Sequence, residues 1–146
     1  MPSRRKSRER ALQILFSWDA RKLPVDDAIN GYFNTLFSEE HRTQDEFAAA
    51  LVRGAVAHGA DLDQRISRHA ENWRLERMPA VDRNILRLAV YELTFEGTPA
   101  AVVIDEAIEL ARKFSNDESA QFVNGVLDAI HREQGSGPAP IAWPIE

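Results

Sequence analysis

Apolar residues recur along this chain at intervals of three and four, the spacing that places side chains on one face of an α-helix. The pattern is densest between residues 80 and 130, where it predicts helices at about 80–96, 99–114 and 117–132. In the first of these helices the apolar positions cover an arc of roughly 200°, at about 100° per residue. This arc is wider than that of an ordinary surface helix. The pattern therefore predicts a central helix that is covered on most sides.

A narrow polar strip interrupts the apolar surface of this central helix. Its members are Arg83, Asn84 and Arg87, with Asp82 near the start of the helix. We expect a core helix that keeps one charged strip to present that strip as a docking surface.

Local signals predict where the last two helices begin. Gly97 is expected to end the central helix, and Thr98 and Pro99 are expected to supply the N-cap and the first-turn proline of the next helix. The run Ser115-Asn116-Asp117-Glu118 has the order of a capping box before the last helix.

The dipeptide Asn124-Gly125 is usually a turn signal, but here the apolar period passes through it without a break. We therefore place it inside the last helix, and we take close approach of another backbone as the reason for the glycine. A kinked or broken helix at this point is the alternative.

The amino-terminal half of the chain predicts four further helices. The first runs from Glu9 to Ala20 and the second from 25 to 37. A capping box at 43–46 opens the third helix, and the fourth spans 62–72, followed by a connector at 73–78. No segment has the pattern of a strand. The predicted fold is all-α, a compact bundle of about seven helices.

Composition narrows the function classes. A chain of 146 residues forms one domain, and the absence of cysteine excludes disulfides, cysteine-bound zinc and thiol catalysis. The four histidines are scattered without metal-ligand spacing, and no phosphate-binding glycine loop or nucleophile motif is present. The sequence therefore predicts neither an enzyme nor a metal or cofactor site. No apolar run reaches the ~20 residues that span a bilayer, and we expect a cytoplasmic protein.

Charge is distributed unevenly along the chain. The net charge is −5, but within the first ten residues five cations oppose the single carboxylate of Glu9. A basic arm on an acidic body is typical of polyanion binding, since arginine contacts phosphates and stacks on unpaired bases. Three of the arginines would fall on the apolar side of the first helix, so we expect residues 1–8 to form a flexible basic arm outside the helical domain at 9–133. The Gly/Pro-rich tail at 134–146 is expected to be disordered.

Three segments resemble one protein family, and they occur in the order in which the family has them. They are RRKSRERALQILFSWD at 4–19, MPAVDRNILRLAVYEL at 78–93 and AIELARKFSNDESAQFVNGVLD at 107–128. The resemblance is to the NusB family of bacterial transcription antitermination factors, and it extends from residue 4 to about 132. It implies a helical bundle of two subdomains. It also implies joint binding of boxA RNA with NusE, a small-subunit ribosomal protein, so that RNA polymerase resists termination.

The resemblance also implies roles for individual residues. The arginine-rich RNA-binding arm corresponds to Arg4, Arg5, Lys6 and Arg8. A second RNA-contacting edge corresponds to Glu118 and Gln121, although some relatives have lysine in place of Gln121. The surface that faces NusE corresponds to Asp82, Arg83 and Arg87. Phe16 stands where tyrosine is common in the family.

Two functions of other classes stay open at this point. A NusB-like domain also occurs as the accessory RNA-binding module of an rRNA-modifying enzyme, and a helical bundle of this size could be a structural oligomerisation domain. The sequence does not decide whether the chain forms a homodimer.

Overall fold

Seven α-helices and one short 3₁₀ helix make up the residues that the computed structural model describes, which are 3–35, 45–70 and 74–135. In chain order the helices are α1 (Arg4–Arg21), α2 (Val25–Thr35), α3 (Glu46–Ala57), α4 (Gly59–His69), α5 (Ala80–Phe95), α6 (Ala100–Phe114) and α7 (Asp117–Gly135). The 3₁₀ helix, Leu75–Arg77, lies between α4 and α5. These ranges contain no strand, and the all-α prediction is confirmed.

Helix α5 lies at the centre of the bundle, as its wide apolar arc predicts. It packs against α1, α3, α4, α6 and α7. Ile85, Leu86 and Val90 of this helix are fully buried. Helices α1, α2 and α3 pack on one another as an amino-terminal subdomain, and α4 to α7 form a second subdomain around α5.

Helix α1 begins five residues earlier than the sequence pattern predicts. Its N-cap is Ser3, whose hydroxyl accepts a hydrogen bond from the Lys6 N–H. Ser7 is buried one turn later and donates to the carboxylate of Asp45 at 2.7 Å. The predicted boundary at Glu9 is therefore wrong, and residues 4–8 continue the helix instead of forming an uncoiled arm. Mobility of residues 1–7 in the free protein stays a prediction.

The polar strip of α5 is an internal network rather than an exposed face. Asn84 is fully buried. The guanidinium of Arg83 donates to Asp19 at 2.9 Å and to the Leu75 and Met78 carbonyl oxygens. Arg87 donates to Asp19 and, through two hydrogen bonds of 2.9 and 3.1 Å, to Asp63. Arg83 and Arg87 thereby join α5 to α1, α4 and the connector and do not form the open strip that the sequence predicts, whereas their role in partner docking stays a prediction.

One carboxylate receives both arginines of this network. Burial is the strongest influence on Asp19 and would raise its pKa, but hydrogen bonds from Arg83 and Asn84 outweigh burial and hold the pKa below its usual range. Asp19 is thus ionised at neutral pH, as a partner for two guanidinium groups requires.

Several helix boundaries differ from the predicted caps. The N-cap of α3 is Asp45, whose carboxylate accepts from the Ala48 N–H at 3.1 Å. Asn116 accepts from the Ser119 N–H at the start of α7, and the hydroxyl of Thr98 donates to Glu92 instead of capping α6. Ser, Thr, Asp and Asn are all preferred N-cap residues, and several of them stand close together before α3 and α7. Spacing alone therefore does not identify which of them is the cap.

The sequence predicts roles for Gly97 and Gly125, and the structure confirms the first role and corrects the second. Gly97 follows α5 with a φ of +73°, a conformation suited to glycine, and its predicted role at the helix end is confirmed. Helix α7 also runs through Gly125 as predicted, but no atom of the described part of the chain lies within 4 Å of the position of an added Cβ there. The predicted close approach at Gly125 is therefore wrong.

Close approach to a glycine occurs instead at Gly54 in α3. A Cβ at this position would lie 2.1 Å from Cζ of Tyr91, so the tyrosine ring occupies the space that a side chain would need. The same ring stacks near Phe95, with 5.7 Å between centroids, and its hydroxyl donates to Glu96 at 2.9 Å. Gly54 thereby lets α3 and α5 pack closely.

Some predictions fall outside the described residues. These are the end of the second helix at 36–37, the first part of the capping box at 43–44, residues 71–73 around the end of the predicted fourth helix, and the tail at 136–146. Residues 134 and 135, predicted as the start of the tail, belong to α7. Among the helices that are described, none combines the length and the apolar character that crossing a membrane requires.

Candidate nucleic-acid interface

Three of the predicted RNA-binding cations lie exposed on the first turn of α1. Arg4, Arg5 and Lys6 all have exposed side chains. The guanidinium of Arg4 lies over the ring of Phe47, 3.8 Å from its centroid. Because these residues belong to a helix fixed to the body, their charges project from a defined surface.

Arg8, the fourth predicted cation, has a different environment. Its guanidinium forms a bidentate ion pair with the carboxylate of Glu92, and both residues are buried. The hydrogen bond to Glu92 raises the pKa of Arg8 further above its ordinary value. The prediction that Arg8 belongs to an exposed arm is wrong, because this side chain fastens α1 to α5.

The exposed cations border a shallow groove between α1 and α6, with a volume of about 240 Å³. The α1–α6 groove is lined by Arg5, Glu9, Glu106, Glu109, Leu110 and Lys113. Arg5 donates through Nε and Nη2 to the two oxygens of Glu106 at 3.1 and 2.8 Å. At the other end Nζ of Lys113 donates to Glu9 at 3.0 Å. Two cations therefore stand at opposite ends of this groove, with carboxylates between them.

The last turn of α6 carries two cations with different partners. Lys113 reaches across to Glu9 of α1, and Arg112 lies 3.7 Å from Glu109 of its own helix. Arg112 is also 3.6 Å from Asp117, the first residue of α7. Arg112 and Lys113 therefore extend the cationic surface to the turn between α6 and α7.

A second and larger groove, of about 740 Å³, begins at that turn. The α5–α7 groove is lined by Met78, Pro79, Asp82, Ser115, Asn116, Glu118, Ser119 and Phe122. Glu118 is exposed on the first turn of α7, and Gln121 is exposed one turn further along the helix. Of these two predicted RNA-contacting residues, Glu118 therefore lines the groove, and Gln121 is exposed on the same helix.

Asp82 is buried in the wall of the α5–α7 groove and is 4 % exposed. Its Oδ2 accepts from the hydroxyl of Ser119 at 3.1 Å, whereas Oδ1 has no hydrogen-bond partner among the described residues. Burial raises the pKa of Asp82, and the Ser119 hydrogen bond opposes that shift only in part. Oδ1 is enclosed and has almost no contact with solvent, so a donor from another molecule can reach it only when neighbouring side chains move.

The structure places the predicted site residues in different surroundings. Arg5 lines the α1–α6 groove and Lys6 lies beside it, 3.6 Å from Glu9, whereas Arg4 lies against Phe47 of α3. Glu118 and Asp82 line the α5–α7 groove, and Gln121 is exposed on α7. Arg8 is buried, and Arg83 and Arg87 are mostly covered and pair with carboxylates of the same chain.

Sequence reasoning missed two parts of this surface. Arg112 and Lys113 lie in the last turn of α6, where the helix macrodipole by itself accounts for cations. Phe16 is 41 % exposed on α1. It lies about three helical turns beyond Arg5 and two beyond Glu9, on the same side of α1. Its spacing from Arg5 is the only sequence signal that could have placed it there.

The arrangement has the features of a binding surface rather than a reaction centre. No group of three or more metal-ligating side chains occurs in the ranges that the structure describes. Exposed cations, an exposed aromatic ring and side chains able to read base edges lie along α1, α6 and the start of α7. Such a combination is typical of single-stranded nucleic-acid binding.

An all-helical protein of two subdomains with a basic edge is the class that the fold and this surface define. The family model described as "NusB family" matches residues 5–132. This chain is 68 % identical over 142 residues to the transcription antitermination protein NusB of Solibacter usitatus, covering 97 % of each chain. The chain belongs to the NusB family.

Solved structures agree with this assignment. A T. maritima NusB structure is 36 % identical and has a TM-score of 0.78, with 90 % of this chain and 92 % of that chain covered. A crystal structure of the antitermination factors NusB and NusE with double-stranded RNA contains a chain that is 30 % identical, with a TM-score of 0.76. The match covers 88 % of this chain and 96 % of that chain.

Proposed function

We propose that this protein is an RNA-binding transcription antitermination factor that acts in the cytoplasm without catalysis. It binds the boxA segment of nascent ribosomal RNA together with the ribosomal protein NusE, and the complex helps RNA polymerase resist termination. The observation that carries the proposal is the exposed surface from Arg5 through Lys113 to Glu118 in a chain of this family. The solved complex of relatives with NusE and RNA supports the choice of partners.

In this proposal the RNA backbone follows the α1–α6 groove. Arg4, Arg5 and Lys6 contact phosphates at one end, and Lys113 and Arg112 contact them near the α6–α7 turn. Between the positions of Glu106 and Lys113 the strand advances about 10 Å, at 1.5 Å per helical residue. Phosphate contacts position a strand without selecting its sequence, so these cations supply affinity and register.

Sequence selection is assigned to the start of α7. The first turn of this helix is acidic, with Asp117 and Glu118, and its cap is Asn116. A phosphate is disfavoured beside two carboxylates, whereas a base edge with an amino group can donate to Glu118. Gln121 can both donate to and accept from a base. We therefore assign base reading to these two side chains.

NusE is assigned to the α5–α7 groove. A donor from the partner satisfies Oδ1 of Asp82, the enclosed carboxylate oxygen that lacks a hydrogen bond within the described chain, once binding moves the side chains that cover it. Met78, Pro79 and Phe122 give the same groove apolar walls. Because Glu118 lines this groove as well, the two ligands meet at α7. Binding of either ligand should tighten the other by the same factor.

The test is fluorescence anisotropy with a boxA RNA and a scrambled RNA, in the presence and absence of NusE, across a salt series. The variant is Arg4→Ala/Arg5→Ala/Lys6→Ala, which leaves the buried Arg8 intact. We expect weaker binding and a log–log salt slope flatter by up to about 2, at roughly 0.7 per lost phosphate contact on a single strand.

Arg21→Ala is the matched control for charge, because Arg21 is exposed in the last turn of α1, away from this surface. The control should bind RNA as the unmodified protein does. Equal affinity of the triple variant and the unmodified protein would remove the α1 cations from the mechanism. Equal binding of boxA and scrambled RNA with NusE present would reject the proposed specificity.

A further inference from the structure

The exposed cations of the α1–α6 groove are already engaged by carboxylates of the same chain. Arg5 is held by both oxygens of Glu106, and Glu9 receives Lys113 at 3.0 Å and Lys6 at 3.6 Å. The cations that we assign to phosphates therefore have internal carboxylate competitors, except Arg4, which lies over the ring of Phe47. The strongest of these pairs by geometry is Arg5–Glu106, the only bidentate one in the described groove.

The two sides of each pair differ in exposure. The side chains of Glu106 and Glu9 are 15 % and 13 % exposed, whereas those of Arg5 and Lys113 are 62 % and 56 % exposed. The carboxylates are thus fixed parts of the helical body, and the long cationic side chains lie over them from the solvent side. Arg5 can turn outward to a ligand while Glu106 stays in place.

We infer that Glu106 sets the RNA affinity of this surface by competing with phosphate for the guanidinium of Arg5. The inference rests on the proposed function and adds to it a regulatory residue of the same site. A phosphate that binds Arg5 must replace a carboxylate that already satisfies two guanidinium donors. The first turn of α1 therefore attracts RNA less strongly than the number of its cations indicates.

An RNA phosphate can compete with Glu106 for the guanidinium of Arg5 because an exposed ion pair is weak. Such pairs contribute little net stability, so a multivalent RNA can displace Glu106, whereas an isolated phosphate gains almost nothing. The energy that RNA gains at Arg5 is reduced by the energy of the lost pair. A strand that binds only through phosphates is consequently disfavoured, and contacts at α7 and NusE become more important for retention.

The exchange has a signature in the salt dependence. A phosphate that meets a free cation releases the condensed counterion of the strand. When Arg5 leaves Glu106, the freed carboxylate attracts a cation from solution, and this uptake offsets part of the release. Removing the carboxylate should therefore make the salt slope steeper, by up to about 0.7 for one contact on a single strand.

The experiment compares Glu106→Gln with the unmodified protein, using boxA RNA and scrambled RNA across a salt series. We expect RNA binding about two- to fivefold tighter, the range that the loss of one exposed ion pair allows, together with the steeper slope. The gain should be equal for both RNAs, because a phosphate contact carries no sequence information.

Two further variants separate competition from general charge. Asp105→Asn makes the same charge change at an adjacent exposed residue of α6 and should have a smaller effect. In an Arg5→Ala background the Glu106→Gln change should give no gain beyond that of Asp105→Asn, since the contested guanidinium is absent.

The outcomes are distinct. Weaker RNA binding by Glu106→Gln would show that Glu106 positions Arg5 for RNA and would overturn the inference. An equal gain with and without Arg5 would also overturn it, in favour of long-range repulsion. RNA binding that is unchanged by Glu106→Gln rejects the competition alone, whereas absence of RNA binding in every variant rejects the proposed function as well.

Discussion

The guanidinium of Arg8 and the carboxylate of Glu92 form a buried bidentate ion pair that joins the second turn of α1 to the last turn of α5. Glu92 also accepts a hydrogen bond from the hydroxyl of Thr98 at 3.0 Å, at the entrance to α6. One carboxylate therefore fixes the position of α1 relative to the helix pair α5–α6. The first turn of α1, which carries Arg4, Arg5 and Lys6, is therefore held in place by a buried side chain.

Arg8→Ala should be strongly destabilising. Removing one member of a buried ion pair leaves an uncompensated charge and typically costs about 3–5 kcal/mol. We expect a loss of this size in the free energy of unfolding, measured by urea denaturation. Arg5→Ala is the matched control and should cost less than about 1 kcal/mol, because its pair with Glu106 is exposed on the arginine side.

A double replacement tests the physical reason. In Arg8→Met/Glu92→Met no charge remains buried, so the loss should be much smaller than for Arg8→Ala. A loss below about 1 kcal/mol for Arg8→Ala itself would contradict the structural role assigned to the pair.

Alanine at two helical glycines should have opposite effects. Gly125→Ala meets open space in α7 and should stabilise the protein by up to about 1 kcal/mol, the helix-propensity gain of alanine over glycine. Gly54→Ala places a Cβ 2.1 Å from the Tyr91 ring, so we expect a net loss of about 1 kcal/mol or more. Thermal unfolding of the two variants provides the comparison.

The Gly54 effect should depend on the tyrosine. In a Tyr91→Leu background the added methyl group no longer meets the end of the ring, so Gly54→Ala should become neutral or stabilising. Destabilisation of equal size in both backgrounds would show that the close approach to Tyr91 is not its cause.

Asp82→Asn should stabilise the isolated protein at neutral pH. Burial raises the pKa of Asp82 in the folded state above its unfolded value, so the ionised carboxylate lowers stability at neutral pH. This penalty is absent below the unfolded pKa, near 3.9, and appears as pH rises from there through the folded pKa. The gain from Asp82→Asn should therefore be largest at pH 7 and vanish as pH falls below about 4.

Asp45→Asn is the control of opposite sign. Burial is the strongest influence on Asp45, but hydrogen bonds from Ser7, the Ala48 N–H and Arg10 outweigh it and hold the pKa below its usual range. The ionised form of Asp45 thus stabilises the fold above the unfolded pKa, and this stabilisation is lost as pH falls through the folded pKa. Asp45→Asn should be destabilising at pH 7, with a difference that shrinks in acid. Unfolding followed from pH 3 to 7 tests both variants, and equal signs would contradict the assignments.

Asp82→Asn should have opposite effects on the stability of the protein and on its binding of NusE. If Oδ1 of Asp82 receives a charged donor from NusE, the neutral amide weakens NusE capture while the protein itself becomes more stable. Titration with NusE measures the first effect. Unchanged NusE affinity would remove Asp82 from the partner surface.

Phe16→Ala should weaken RNA binding at the exposed side of α1. Stacking of one base on an aromatic ring contributes about 1–3 kcal/mol, so loss of a stacked base should lower the affinity five- to a hundredfold or more. Phe95→Ala is the matched control, since Phe95 is 40 % exposed but lies at the end of α5 against His58, with 4.0 Å between ring centroids. Anisotropy with boxA RNA measures both variants. Equal losses would indicate that Phe16 has no special role.

The sequence alone determined the helical architecture. The apolar spacing placed α5 at the centre because an arc of about 200° can be buried only by neighbours on several sides. It also carried α7 through Asn124 and Gly125, since the apolar period continues there. The family resemblance rested on residues 4–132, nearly the range of the matching family model.

Tertiary structure alone decided what each charge does. Arg5 and Arg8 lie in the same basic run, yet one is exposed in a groove and the other is buried against Glu92. The strip Asp82, Arg83 and Arg87 is uniformly polar in sequence, but both arginines pair with carboxylates of the chain, and Asp82 keeps an oxygen that has no partner among the described residues. The apolar period of a helix is contained in the sequence of that helix alone. Ion-pair partners are distant in sequence, as with Arg8 and Glu92, and only packing brings them together.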